Sequence, residues 1–218
     1  VVGARETTRE GVRSVEKIIK ELGNELVIVS GLAKGIDATA HYASIRNGGK
    51  TIGVIGTGLD IFYPKSNQRL QAHMGEHHLI LSEYGPGQAP LKFHFPERNR
   101  IIAGLCQAVI VAEARLRSGS LITCERAMEE GRDVFAIPGN ILDGKSAGCH
   151  HLIQEGAKLV TEAAHYGKLQ KIYIAESSQG REEERIQPLL EEFPYEVVSE
   201  EVFAEITDTV TPVSYTHL

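Results

Sequence analysis

The sequence has few cysteines and no long hydrophobic run, and each shortage excludes a class of protein. The three cysteines stand far apart and form no CxxC pair, at Cys106, Cys124 and Cys149. That pattern indicates neither a disulfide framework nor a zinc site, and it suits a reducing cytoplasm. No apolar stretch approaches the roughly 20 residues that a membrane helix needs, and no basic and apolar leader opens the chain. We therefore expect a soluble, cytoplasmic protein without a membrane partner.

The usual signatures of catalysis and of metal binding are also missing. The sequence contains no GxSxG elbow, no HExxH helix and no phosphate-binding P-loop. Ser118 and Ser120 have arginines rather than a general base close by in sequence, which favours binding over nucleophilic chemistry. Adjacent histidines such as His77 and His78 point apart on a helix or a strand, so they are poor metal ligands. We expect no enzyme activity, no metal and no cofactor.

The acidic charge of the chain is concentrated at one end. Residues 171–218 carry 3 basic and 11 acidic residues, a balance of −8 within the net charge of −6. Residues 1–170 carry 20 basic and 18 acidic residues, a balance of +2. A region close to neutrality can still hold a basic groove, because local clustering decides binding to nucleic acid. The overall acidity therefore does not exclude a nucleic-acid partner.

Short runs rich in valine and isoleucine alternate with helical patterns over the first 170 residues. The predicted strands are residues 1–2, 26–29, 51–55, 79–81, 108–112 and 133–137. One helix is indicated by apolar residues that share a face and by a glycine that ends it, namely Val12, Val15, Ile18, Ile19, Leu22 and Gly23. Strands that are apolar throughout are covered on both faces. The sequence therefore predicts an α/β fold, a doubly wound, mostly parallel sheet with helices on both faces.

Glycines and cations follow these strands at the edge where open α/β sheets bind their ligands. The loops after the first, second, third, fifth and sixth strands contain GAR, SGLAKGID, GTG, RLRSGS and PG. Glycine lets the backbone approach a ligand closely, and serine caps a helix or binds a phosphate oxygen. Each loop is a weak signal alone, since none has the GxGxxG order of a dinucleotide site. Together they predict one basic crevice.

The stretch FPERNRIIAG sets Arg98, Asn99 and Arg100 just before an apolar run. An exposed Arg-Asn-Arg at a helix start attracts an anion such as phosphate, because the guanidinium groups and the free N–H groups of the helix act together. A structural alternative stays open, in which one arginine pairs with Glu97 or Glu113 and the other lies on the surface. The neighbouring basic loops favour the phosphate site.

Seven motifs in a fixed order resemble those of the DNA-processing protein A family, also called DprA or Smf. They are SGLAKGIDATAH, TIGVIGTGLDIFYP, LILSEYGPG, FPERNRIIAGL, AVIVAEA, SGSLITCERAMEEGRDVFAIPG and GCHHLIQEGA, and the match covers essentially residues 1–165. The resemblance implies a Rossmann-like domain that binds single-stranded DNA, protects incoming strands during natural transformation and helps to load the RecA recombinase. It also implies a homodimer and no enzyme activity.

The same resemblance places a DNA-binding pocket on three of the motifs. The implied binding residues are Ser30, Gly31, Arg98, Arg100, Arg117, Ser118 and Gly119. From the same motifs we add Lys34, Asn99 and Ser120 to the predicted DNA-binding site. Serine hydroxyls bind phosphate oxygens, glycines expose backbone N–H groups, and arginines carry a permanent charge. Lys34 stands where the family usually has arginine, so the charge is kept and the bidentate fork is lost.

Three side chains beside this pocket are interpreted separately. Asp37 is interpreted as a structural residue that steadies the helix starting near it. Phe93 and Phe95 admit two interpretations, either as a stacking face for a base of a single strand or as core or lid aromatics.

An enzymatic alternative remains, because the family is similar in fold to nucleotide-binding proteins of the lonely-guy type. Some of these relatives hydrolyse the N-glycosidic bond of a nucleotide, and Glu113 and Glu125 flank the loop where a carboxylate would act. Those relatives use a PGGxGT-type loop followed by a glutamate, and RSGSLITCE keeps only part of that pattern. The alternative is a nucleotide-binding or nucleotide-hydrolysing enzyme.

The chain is predicted to divide into three parts. Residues 1–167 form the Rossmann-like DNA-binding domain, residues 168–181 a linker, and residues 182–218 a truncated segment that resembles the opening of a winged-helix-like domain. We expect the first strand to lack its start, and we interpret the final TPVSYTHL as a non-native extension. One crevice spans only a few nucleotides, so a dimer with two crevices would hold a strand more stably.

Overall fold

The computed structural model of the protein describes residues 1–163. Seven β-strands and six α-helices alternate along this part of the chain. The predicted linker at 168–181 and the predicted winged-helix-like segment at 182–218 lie outside the described residues, as do residues 164–167 of the predicted domain. Within residues 1–163, no helix has the length and apolar character needed to cross a membrane.

The elements have the following bounds. The strands are β1 (Val2–Gly3), β2 (Ile28–Ser30), β3 (Thr51–Val54), β4 (Leu79–Leu81), β5 (Ala108–Ala112), β6 (Asp133–Ala136) and β7 (Lys158–Leu159). The helices are α1 (Arg9–Leu22), α2 (Ile36–Arg46), α3 (Gln68–His77), α4 (His94–Gly104), α5 (Gly119–Glu129) and α6 (Ala147–Gln154). A 3-10 helix, Lys65–Asn67, precedes α3.

The strands pair in parallel and form two adjoining sheets. One sheet has the order β1-β5-β6-β7 and the other has the order β2-β3-β4. The amino group of Val1 donates to the carbonyl of Val29 at 2.8 Å, which joins the β1 edge of the first sheet to β2 of the second. Parallel strands align their carboxyl ends, so the loops that follow them leave at one edge.

Helices pack on both faces of the sheets and bury an apolar core on each. On one face, Ile102 of α4, Cys124 of α5 and Leu152 of α6 belong to one buried cluster. On the other face, Ile19 of α1 and Ile36 of α2 belong to a second cluster. Each fully buried aliphatic side chain contributes about 1.5–3 kcal/mol. The predicted doubly wound α/β fold is confirmed.

The strand predictions are accurate where the strands are buried. β4 and β5 have the predicted bounds, and β1, β2, β3 and β6 lie within two residues of their predictions. β7 was missed, because it has only two residues, both exposed, and one of them is a lysine. Such a short edge strand carries no apolar run in its sequence.

The helix α1 ends at the predicted glycine, and a threonine caps its start. The hydroxyl oxygen of Thr8 accepts a hydrogen bond from the Gly11 N–H at 3.0 Å and so caps the first turn. Gly23 has a φ of +81°, which favours glycine, and its N–H donates to the Lys20 carbonyl at 3.3 Å. The predicted helix and its glycine end are confirmed.

Candidate nucleic-acid interface

Contacts around α4 bring three of the sequence motifs together at the carboxyl edge of the strands. The backbone of Gly31, in SGLAKGID, lies so close to the Arg98 guanidinium that a Cβ at position 31 would collide with it. On the next residue of α4, the Asn99 amide nitrogen donates to the Gly119 carbonyl of RSGS at 3.2 Å. SGLAKGID, FPERNR and RSGS are therefore neighbours in space.

The Arg-Asn-Arg motif lies within α4 and not at its start. The helix begins at His94, so Arg98 and Arg100 occupy its second turn. Their own N–H groups point along the helix, where they are used within it. The prediction that free N–H groups of a helix start bind an anion together with these two arginines is therefore wrong.

Arg98 is a buried residue, only 4% exposed, which corrects the expectation of an exposed cation. Its Nη1 donates to the Val54 carbonyl at the end of β3. Burial lowers the pKa of Arg98 to about 10, and the nearby Asp37 carboxylate opposes that decrease. Its Nε has no hydrogen-bond partner among the described residues. Arg98 thus lies inside the protein, below the loops at the carboxyl edge of the sheet.

Asp37 is the buried acidic counterpart of Arg98. It lies in the first turn of α2, and its Oδ2 accepts a hydrogen bond from the Gly31 N–H at 3.2 Å. Burial raises the pKa of the Asp37 carboxyl, while the Arg98 charge opposes the rise. The carboxylate fixes the loop between β2 and α2, in agreement with the structural role expected for it.

Ser30 and Gly31 face into the protein and not towards the crevice. Ser30 is fully buried, and its hydroxyl donates to the Val1 carbonyl at 2.6 Å. The Gly31 N–H is used by Asp37. The expectation that this hydroxyl and this N–H bind phosphate does not fit the structure, since both donors already have partners inside the fold.

Arg100 forms an ion pair with Glu83, which follows β4. Burial raises the pKa of the Glu83 carboxyl, and the Arg100 charge opposes the rise. The structural alternative considered from the sequence was an ion pair with Glu97 or Glu113. The partner of Arg100 in this ion pair is Glu83 instead. Glu97 instead accepts a hydrogen bond from the Tyr84 hydroxyl at 3.4 Å.

The RSGS motif forms the open side of the crevice. Ser118 caps α5, because its hydroxyl oxygen accepts a hydrogen bond from the Ser120 N–H at 3.4 Å. The hydroxyls of the two serines are 2.7 Å apart. Arg117 and Gly119 are exposed, and the two serines are half-buried. The start of α5 therefore faces outwards beside an arginine, the arrangement that the sequence placed at α4.

Exposed cations line this edge, on three different loops. They include Arg5, Lys34, Arg115 and Arg117. The loop that carries Lys34 is held from below, because the amide nitrogen of Asn67 donates to the carbonyls of Leu32 and Ala33 at 2.9 and 3.0 Å. The exposed positive charge of the crevice thus comes from its loops, while α4 supplies its floor.

Aromatic rings lie beside these cations. The guanidinium carbon of Arg5 lies 5.4 Å from the centre of the Phe95 ring, within cation–π range. The Tyr63 ring is 5.5 Å from the same ring. Phe93 is 57% exposed, so it is not a core aromatic. Sequence reasoning missed Tyr63, and the signal was the FYP that ends the motif after β3.

Glu113 is engaged in holding the start of α1. Its carboxylate accepts hydrogen bonds from the Thr8 N–H at 2.8 Å and from the hydroxyls of Thr7 and Thr8. Glu113 is buried at the end of β5 with a φ of +49°, and a constraint of this kind persists only where the surroundings fix it. Glu125 is exposed on α5. This arrangement gives no support to the hydrolytic alternative.

The histidines and cysteines offer little further chemistry. Within the part of the chain that the structure describes, no group of three or more His, Cys, Asp or Glu side chains could hold a metal ion. The three cysteines are free thiols. Burial raises the pKa of each thiol, in the case of Cys124 to about 12, and protonated buried thiols are unreactive.

Comparison with known proteins gives consistent matches over this region. Residues 1–169 match the sequence model of a family described as DNA recombination-mediator protein A. The chain is 76% identical over 161 residues to the DNA processing protein DprA of Streptococcus pneumoniae, covering 74% of this chain and 57% of that protein. The chain spans about half the length of the curated relatives that it matches.

Two solved structures are similar to this one. DNA processing protein A from Streptococcus pneumoniae is 75% identical with a TM-score of 0.74, covering 75% of this chain and 58% of that chain. DNA processing protein A from Helicobacter pylori, solved to describe its single-stranded DNA binding mode, is 30% identical with a TM-score of 0.71, covering 78% of both chains.

Proposed function

Because the chain belongs to the DNA recombination-mediator protein A family, we propose that it binds single-stranded DNA and acts as a recombination mediator. The Helicobacter pylori relative, solved for its single-stranded DNA binding mode, supports this proposal. The observation that carries it is the set of exposed cations on the loops at one sheet edge, one of which, Arg5, lies over the Phe95 ring. A single strand presents phosphates and unstacked bases, and this edge offers a partner for each.

The exposed loops make the phosphate contacts in this proposal. Lys34, Arg115 and Arg117 supply the charge. The Ser118 hydroxyl and the N–H groups at the start of α5 add uncharged donors. Contacts of this kind carry little sequence preference, and they release counterions from the DNA, so the affinity falls steeply as salt rises.

The buried members of the expected site act in this proposal as positioning residues. The Ser30 hydroxyl holds the end of β2 to Val1, and the Gly31 N–H is held by Asp37. The Arg98 guanidinium of α4 packs against the Gly31 backbone. Asn99 holds the Gly119 end of the RSGS loop. Arg100 borders the crevice together with Glu83. Substitution of any one of these residues would displace the contact loops rather than remove a contact.

Phe95 provides the base contact in this proposal. Arg5 and Tyr63 lie against its ring and hold it at the crevice. Stacking of a base on an aromatic side chain contributes about 1–3 kcal/mol and depends little on the base. A site made of phosphate and stacking contacts suits a protein that coats strands of any sequence.

The wider role follows from the resemblance to the family. We propose that the chain works in the cytoplasm as a homodimer, protects incoming DNA during natural transformation and passes it to RecA. Two crevices on a dimer raise the effective concentration of the second site for the same strand. No nucleotide cofactor, metal or catalytic step is part of this role.

A titration of fluorescently labelled oligo-dT at several salt concentrations tests the proposal. We compare the wild type with the Arg115→Ala/Arg117→Ala double variant. The matched control is Arg46→Ala, which removes an exposed arginine at the last residue of α2, far from this edge. We expect salt-sensitive binding by the wild type and the control, and a clear loss of affinity with a shallower salt dependence in the double variant.

The same samples are incubated with a nucleoside monophosphate to detect release of the free base. Base release by a wild type that does not bind oligo-dT at low salt would replace this proposal with the nucleotide-hydrolysing alternative. Equal binding by all three proteins would show that Arg115 and Arg117, in the loop after β5, do not contribute to DNA binding.

A further inference from the structure

Two aliphatic side chains stand almost fully in solvent at the tip of the loop between β6 and α6. Ile141 is 80% exposed and Leu142 is 88% exposed, the highest values among the large hydrophobic residues of the described part of the chain. Single exposed apolar residues are ordinary on protein surfaces, but neighbouring ones at a ligand-binding edge mark a contact surface.

The loop has a definite internal structure. The Leu142 N–H donates to the Asn140 side-chain oxygen at 2.8 Å, and the Lys145 N–H donates to the Asp143 carboxylate at 2.9 Å. These two side-chain turns hold the backbone on either side of the apolar tip. The tip is therefore presented outwards by the loop itself and does not fold back onto the core.

This loop is continuous with the basic edge described above. Its end, at the start of α6, is joined to the loop after β5, because the Gly148 N–H donates to the Ala114 carbonyl at 2.7 Å. The next residues on that loop are Arg115, then Leu116, which is 61% exposed, then Arg117. The two neighbouring loops thus present exposed aliphatic side chains, with Leu116 between two exposed arginines on one loop and the exposed Asp143 next to the tip on the other.

We propose that Ile141 and Leu142 pack against the bases of a single strand whose phosphates lie on Arg115 and Arg117. This proposal rests on the proposed DNA-binding function and adds a second base contact outside the Phe95 position. Arg115 and Arg117 on the neighbouring loop fit a polyanion, and an apolar tip fits the faces of the unstacked bases of a single strand.

The test compares two double variants of the full chain. Ile141→Ser/Leu142→Ser removes the apolar tip, and Ile141→Leu/Leu142→Ile keeps it. Each protein is titrated with oligo-dT and with an abasic strand of equal length at three salt concentrations. We expect the serine variant to bind oligo-dT about fivefold more weakly than the wild type, with unchanged affinity for the abasic strand and an unchanged salt slope. The apolar double variant should bind both strands like the wild type.

Thermal unfolding checks that the variants fold, and sedimentation velocity checks their oligomeric state. If the serine variant binds oligo-dT as tightly as the wild type, the loop proposal is wrong while the DNA-binding function stands. An equal loss on oligo-dT and on the abasic strand would show that the tip does not act through the bases and would overturn the base contact. A wild type that binds neither strand would overturn the proposed function and this inference together.

Discussion

The two arginine-bearing segments of the crevice use the same side chain in opposite ways. In α4, Arg98 is buried, donates to the Val54 carbonyl and lies close to the charge of Asp37. In the loop after β5, Arg115 and Arg117 are exposed. A buried guanidinium is retained only where acceptors and a counter-charge replace its lost water. An exposed one keeps its water and can exchange it for phosphate. The first segment therefore builds the protein interior at this edge, and the second is the one to which the proposed function assigns the phosphate contacts.

The largest expected effect is the loss of folding stability when the buried arginine is removed. Arg98→Ala should lower the free energy of unfolding by about 3–5 kcal/mol, because it leaves Asp37 buried without its counter-charge. Arg117→Ala should change it by less than about 0.5 kcal/mol, because that side chain is exposed. Urea unfolding of both variants measures the difference. Equal effects on stability would abolish the distinction between the two segments.

Acid should lower the folding stability of the protein through His41, a buried residue of α2. Its Nε2 accepts a hydrogen bond from the Leu32 N–H at 3.3 Å, in the loop that Asp37 also holds. Burial lowers the pKa of His41 from 6.5 to about 3. The unfolded chain therefore binds a proton below pH 6.5 that the folded chain excludes, and stability decreases as the pH falls from 6.5 towards 3.

We expect this residue to contribute a loss of about 3 kcal/mol between pH 6.5 and pH 4. The measurement is the unfolding free energy at both pH values for the wild type and for His41→Gln, which cannot take up the proton. The loss specific to His41 is the difference between the two proteins. If both proteins lose the same stability, His41 is protonated inside the fold and the assignment fails.

The stability cost of adding a Cβ differs between Gly31, which lies against the buried Arg98, and Gly119, which lies in the exposed loop. Gly31→Ala should cost about 1–3 kcal/mol of stability, because the new Cβ would collide with the Arg98 guanidinium. Gly119→Ala should be neutral or slightly stabilising, since nothing lies within 4 Å of a Cβ there. In an Arg98→Ala background the cost at position 31 should shrink, which a double-mutant cycle measures. If Gly31→Ala costs as much stability in the Arg98→Ala background, the collision with Arg98 is not the cause of the loss.

The smallest expected effect is a gain of affinity at an exposed cation. Lys34→Arg restores the bidentate fork at a position that is exposed in the loop after β2. We expect binding to oligo-dT to tighten by about threefold with unchanged stability, because a charge-assisted contact becomes bidentate. Anisotropy titrations at one salt concentration provide the measurement. A weaker affinity would indicate that the lysine contacts the strand as a point charge.

The fold could be predicted from the sequence because its signals are local. The continuous apolar run of β5 and the capped, glycine-ended α1 each occur within about a dozen residues. The start of α4 was missed because Phe93 offers no side-chain cap and Pro96 falls within the first turn. With the helix start misplaced, the sequence predicts Arg98 and Arg100 as one exposed pair, whereas Arg98 is buried.

The sequence by itself determined where the buried strands lie along the chain and which glycines, serines and cations follow each of them. From that order came the family and the edge of the sheet where the proposed site lies. Only the tertiary structure decided which of those residues face a ligand. Ser30, Gly31 and Arg98 turn inwards because Val1, Asp37 and Val54, distant in sequence or across a loop, offer them partners. Residue type fixes what a side chain can bind, whereas burial by distant segments fixes whether it is still available to bind.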